Sequence, residues 1–173
     1  GGENNYMSWA RIATTGENND VVHVFANAAG DENSASYYLR TEDLENWDIQ
    51  FSPLEIDDKH MNCYNADGYA VSANGDNIAV LYCDRYFYHD VMLYESNDAG
   101  KTWESRMVWE SPVDTAVWFN EPNKDATVMQ DLYAPTQGSV AIGKDGVSHV
   151  ALSVGMFSLN SRCPVSIFVG VDD

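Results

Sequence analysis

The chain is short of positive charge. Its 173 residues hold nine Lys and Arg against 27 Asp and Glu, for a formal net charge of −18. Nucleic acids and anionic membrane surfaces are recognised through a positive footprint, so both are excluded as partners on charge. Long hydrophobic runs are missing too. No stretch approaches the roughly 20 apolar residues of a membrane-spanning helix, and membrane insertion is not expected. No charged-then-apolar leader opens the chain. Gly1-Gly2-Glu3-Asn4-Asn5 reads instead as the middle of a longer chain or an added segment. A self-repelling acidic surface suits an extracellular or cell-surface protein, with the periplasm as the alternative.

Cysteine is scarce. Cys63, Cys83 and Cys163 are an odd number at no recognised spacing, which allows one disulfide and a buried thiol or three buried thiols. His60 and Cys63 form an H-x-x-C pair, but no second pair completes a zinc site. Helical periodicity is almost absent, because Gly, Asn or β-branched residues interrupt every long window.

What is present is strand-forming. Apolar residues make up 45% of the chain, with ten Tyr and five Trp, enough for one domain with a sizeable core. Short runs of Val, Ile, Tyr and Phe are cut by Gly, Asn and Asp. A repeat organises them. ARIATTGENNDVVHVFAN (10–27), YAVSANGDNIAVLYCD (69–84) and SVAIGKDGVSHVALSV (139–154) each read as a strand of small residues, a polar turn and an apolar strand. His23 and His149 fill the same slot of the second strand, where the middle copy has Val80; both are expected to be satisfied core or interface histidines. SASYYLRTEDLENWDI (34–49) and HDVMLYESNDAGKTWES (89–105) then match as a third strand, Ser or Thr, x, Asp, and a Trp that opens a fourth strand. The period is about 60 to 70 residues with four strands per unit, which is the plan of a β-propeller blade. The expected class is all-β, with blades at about 8–54, 68–111 and 138–173. Known propellers have ~4–8 blades, so the remaining blades are expected from the same or another chain.

S-x-D-x-G-x-T-W, at Ser96, Asp98, Gly100, Thr102 and Trp103, resembles the Asp-box, or bacterial neuraminidase (BNR) repeat, of the sialidase-like propellers. TEDLENW (41–47) is similar to its shortened variant. ARIA (10–13) faintly echoes the segment that opens sialidase domains, without its aromatic residue and Pro. Turn chemistry alone gives the motif a structural role. Ser96 and Asp98 can accept bonds from backbone N–H groups, Gly100 supplies positive φ, and Trp103 is large enough to fill the gap between blades. An EF-hand pattern is missing, so the stretch is not read as a metal loop.

Propeller geometry puts these turns on one face and the loops from strand two to three, with the crossings between blades, on the other. In sialidase-like proteins that second face carries the site. Here it collects Asp84, Arg85, Tyr86, Tyr88, His89 and Asp90, and a long crossing (111–137) with Trp118, Phe119, Glu121, Gln130, Asp131 and Tyr133. Aromatic rings that stack on sugar C–H faces, with polar groups to fix hydroxyls, are what a glycan site needs, and Asp84, Arg85, Tyr86, Tyr88, His89, Trp118, Glu121 and Asp131 are the binding candidates. Packing between blades would use the same aromatics.

The resemblance implies, for an enzyme, three Arg on the sugar carboxylate, a Tyr–Glu nucleophile pair and an acidic residue. Five Arg are present. Arg40 and Arg106 fall by the Asp-box turns, which leaves Arg11, Arg85 and Arg162, and no Tyr–Glu pair can be assigned. Catalytic residues are therefore unknown. The leading expectation is a secreted or cell-surface module that binds a glycan or protein partner without catalysis. The alternatives are part of a sialidase-like glycoside hydrolase completed by other blades, and an architectural propeller in a large assembly. No cofactor is expected, apart from Ca²⁺ as an option at Asp57, Asp58 and Asp67, whose acidic loop is otherwise simply solvated.

Overall fold

Eleven strands and no helix occur among the residues that the computed structural model describes, namely 6–29, 36–51, 68–83, 90–110, 132–158 and 161–169. They form three antiparallel sheets. The first holds β1 (Tyr6–Thr15), β2 (Val21–Ala29), β3 (Ser36–Thr41) and β4 (Asp48–Phe51), in that order. The second repeats the plan with β5 (Tyr69–Asn74), β6 (Asn77–Tyr82), β7 (Val91–Ser96) and β8 (Glu104–Trp109). In the third, β10 (Ser148–Ser158) pairs with β9 (Leu132–Ile142) on one side and β11 (Ser161–Val169) on the other.

The opening strands β1, β5 and β9 are neighbours across the sheets. This arrangement is consistent with a β-propeller-like fold. The second sheet lies in the middle, and its sequence explains why. IAVLY (78–82) in β6 is a continuous apolar run, because both of its faces are covered. Ile78, Val80 and Tyr82 pack toward Phe25 and Tyr38 of the first sheet. Ala79, Leu81 and Cys83 pack with Val140, Val150 and Leu152 of the third. Each large apolar side chain buried this way is worth about 1.5–3 kcal/mol.

Two strands begin earlier than sequence patterning predicts. β1 starts at Tyr6, where the repeat opens at Ala10, because a bulge between Ser8 and Arg11 breaks the period-2 alternation. β9 starts at Leu132 rather than near 138. Pro135 and Gly138 mask the strand in the sequence, and a register shift opposite Ser153 and Val154 accommodates the proline.

Candidate functional site

The described residues build two distinct ends. At one end lie the turns after β1, β3, β5, β7 and β9. The turn of residues 96–103 closes on its own side chains. Ser96 Oγ donates to Asp98 Oδ1 at 2.7 Å and accepts from the Gly100 N–H at 2.9 Å. Asp98 Oδ1 accepts from the N–H groups of Lys101 (3.0 Å) and Thr102 (2.9 Å), and Thr102 Oγ1 donates to Oδ2 at 2.6 Å. These donors, the Thr102 hydroxyl first, hold the Asp98 carboxyl well below the usual carboxylate range. The turn of residues 41–47 is wired alike. Asp43 Oδ1 accepts from Glu45 N at 2.9 Å and Asn46 N at 2.7 Å, and Asn46 Nδ2 takes the place of the Thr102 hydroxyl on Oδ2 at 2.7 Å. Asp43 is held down to about 2, chiefly by the Asn46 backbone N–H. Leu44 and Ala99, at matching positions, both have positive φ, 63° and 57°.

The 96–103 turn is also a clip onto the first sheet. The Ala99 carbonyl accepts from Arg40 Nε at 2.8 Å, and the Gly100 carbonyl accepts from the Tyr38 hydroxyl at 3.3 Å. Trp103, half-buried, presents its ring edge-on to Phe25 (6.0 Å) and Tyr38 (5.3 Å). Its buried Nε1 has no acceptor, so the indole is held by its ring contacts rather than as a donor. Beneath the clip runs a buried polar chain. Thr15 Oγ1 lies 2.7 Å from His23 Nε2, and His23 Nδ1 lies 2.8 Å from the Tyr38 hydroxyl. Burial, with the Arg40 charge adding to it, lowers the His23 pKa to about 4. Burial likewise pushes the Tyr38 phenol above its usual range.

His23 is thus a satisfied core histidine. His149, expected to be another, is exposed. Its slot in the strand is the same, but what covers His23 is the Gly100 turn of the next sheet, and no described turn lies over His149. Arg106 pairs with Glu95 at 3.1 Å on the surface, and Arg40 is tied to the clip and to Glu42.

The opposite end is where the opening strands begin. Arg11 of β1 lies over the Tyr69 ring of β5, 5.6 Å from guanidinium carbon to centroid. These two residues, with Gln137 and Gly138 of β9, line a cleft of about 330 Å³. The Tyr69 hydroxyl donates to the Trp9 carbonyl and, at 3.2 Å, to that of Phe25. Trp9 sits in the β1 bulge at φ 54° with 44% of its surface exposed. A bulky residue in the left-handed region is strained, and strain of this kind concentrates at functional sites. Nothing in the sequence pattern singled out Trp9, Tyr69 or Gln137, because the bulge that re-aims the strand leaves no motif.

The expected binding residues Asp84, Arg85, Tyr86, Tyr88, His89, Trp118, Glu121 and Asp131 lie outside the described residues, as do Asp57, Asp58 and Asp67. Two described strand ends of the second sheet lie at the cleft end. Tyr82, which precedes 84–89, pairs with Tyr69, and Trp109, which precedes 111–131, pairs with Val91 at the same end of the second sheet. Among the described residues, no group of three His, Cys, Asp or Glu is placed to hold a metal ion. Cys83 is buried.

No protein-family model matches the chain, and no curated protein matches it. Among solved structures, the chain is similar to a Trypanosoma rangeli sialidase in complex with sialic acid, with a TM-score of 0.42 and 12% identity over 94% of this chain. It spans 30% of the length of that chain.

Proposed function

We propose that the chain is a sialidase-like propeller module of a secreted or cell-surface protein that binds a glycan at the cleft end of its sheets. One observation carries this reading: Trp9 is held in a strained bulge with its ring exposed, beside the cleft of Arg11, Tyr69 and Gln137. An exposed ring offers a stacking face for sugar C–H groups, and the guanidinium and amide offer donors for hydroxyls. The segments with Asp84, Arg85, Tyr86, Tyr88, His89, Trp118, Glu121 and Asp131 leave from the same end and would complete the site. The net charge of −18 favours neutral glycans over anionic ones.

The test is titration of the protein and of Trp9→Ala and Arg11→Ala against a panel of neutral and sialylated glycans, with thermal melting to confirm folding. Binding of a neutral glycan that weakens about tenfold or more in both variants is expected. Absence of binding across the panel, or folded variants that bind like the parent, would overturn the reading.

Arg11 favours a second reading, part of a glycoside hydrolase, since a guanidinium at this cleft suits a sugar carboxylate. Preference for sialylated glycans, with slow release of free sugar, would select it.

A further inference from the structure

The β5–β6 turn is where the three sheets are tied together. Gly75 and Asp76 are its two central residues, and Gly75 has φ 61°, as a tight hairpin turn with glycine first requires. The Gly75 carbonyl accepts from the Gly16 N–H of the first sheet at 3.2 Å. The Asp76 carbonyl accepts from the Ala99 N–H of the 96–103 turn at 2.9 Å. On the other side, Asn74 Nδ2 donates to the Gly143 carbonyl of the third sheet at 2.8 Å. Close by, the Ile142 N–H donates to Ser72 Oγ at 3.1 Å. These last two bonds tie the β9–β10 turn to the second sheet.

The residue that makes the tie to Gly143 is also chemically vulnerable. Asn74 is the one Asn in the sequence that is followed by Gly. Both residues are exposed, and no heavy atom lies within 4 Å of where a Gly75 Cβ would stand. With no side chain at 75, the Gly75 nitrogen approaches the Asn74 side-chain carbonyl carbon without hindrance. Attack there forms a C–N bond, the Gly75 nitrogen gives up its proton, and the Asn74 side-chain nitrogen leaves as ammonia. The product is a cyclic imide. Water then opens either of its carbonyls. One route gives Asp, and the other gives isoaspartate, in which the backbone runs through Cβ. Either product removes the Nδ2 donor from the Gly143 carbonyl. Either also adds a carboxylate beside Asp76, in a chain already at −18.

We propose that Asn74 is a modification site, at which spontaneous deamidation through the Gly75 nitrogen gives Asp and isoaspartate and releases the β9–β10 turn from the second sheet. The bond to Gly143 restrains the amide, so the folded chain reacts more slowly than the unfolded one. After reaction the Ser72–Ile142 bond and the packing of Leu81 with Val140 remain, so the turn loosens while the two sheets stay together.

Ageing the purified protein in warm, mildly alkaline buffer tests this, with peptide mapping to locate the change and enzymatic methyl transfer to detect isoaspartate. Asn74 should convert before any other Asn. Asn74→Gln, whose imide would have to close a larger ring, should yield no isoaspartate in that peptide. Amide hydrogen exchange reads the release of the turn. In aged protein, and in freshly made Asn74→Asp, exchange over residues 139–148 should rise about tenfold, the worth of one hydrogen bond. Exchange over 91–96, in the middle of the second sheet, should stay as it was. An Asn74 that remains intact, whether or not another Asn converts, would overturn the proposal. So would converted protein whose exchange over 139–148 matches the fresh chain, or a rise that spreads equally to 91–96, since the latter would mean general loosening of the fold.

Discussion

The Gly100 carbonyl rests on the Tyr38 hydroxyl at 3.3 Å, and a Cβ at Gly100 would lie 2.0 Å from that oxygen. Sequence supplies one reason for glycine here, the φ of +78°. The neighbouring sheet supplies a second, because the turn backbone must come within hydrogen-bond reach of Tyr38 and His23.

Gly100→Ala should therefore cost more than a left-handed alanine alone. Backbone strain accounts for about 1–2 kcal/mol, and displacement of the clip from Tyr38 adds to it. Ala99 already tolerates φ 57° one residue earlier, so Ala99→Gly serves as a control and should change stability by less than ~1 kcal/mol. Urea unfolding of both variants checks this. A Gly100→Ala protein as stable as the parent would mean that the clip does not bear on Tyr38.

The two tryptophans of the two turns should behave differently. Trp103, set edge-on against the stacked rings of Phe25 and Tyr38, should cost ~3–5 kcal/mol when changed to Ala. Trp47→Ala should cost less than ~1 kcal/mol, since Trp47 is 39% exposed and its ring has no neighbouring sheet among the described residues. Equal losses would contradict this difference in packing between the two rings.

Acid should weaken the fold through His23. Its pKa is lowered from 6.5 to about 4, so the neutral form is the one the folded state favours. The stability it contributes is fully present above pH 6.5 and is lost as pH falls from there through about 4, to the extent of about 3 kcal/mol. Asp43 and Asp98, also depressed, lose theirs only at more acid pH. Because falling pH also relieves the net negative charge, the comparison is with His23→Gln, whose stability should change less between pH 7 and 4. Parallel profiles for the two proteins would remove His23 as the cause.

The motif S-x-D-x-G-x-T-W announced its turn because the side-chain hydrogen bonds of Ser96, Asp98 and Thr102 all close within residues 96–102. The threefold strand-turn-strand pattern announced the sheets for the same reason, since hairpin pairing is local. Docking was less legible. Nothing in the order of residues says that Arg40 reaches Ala99 or that Tyr38 reaches Gly100. His149 looked like His23 because a sequence slot records the strand and not what lies over it. Trp9 was invisible for a different reason: its exposure depends on a bulge, and a bulge is one residue out of step with the alternation by which strands are read.

The clip also bears on the order of folding. Its own bonds span a few residues, so the 96–102 turn can form before any distant part of the chain is in place. Its contact with Tyr38 spans 62 residues and must await loop closure. A preformed rigid turn lowers the entropy lost at that late encounter, so the wiring around Asp98 acts on the speed with which two sheets find each other as well as on the shape of one.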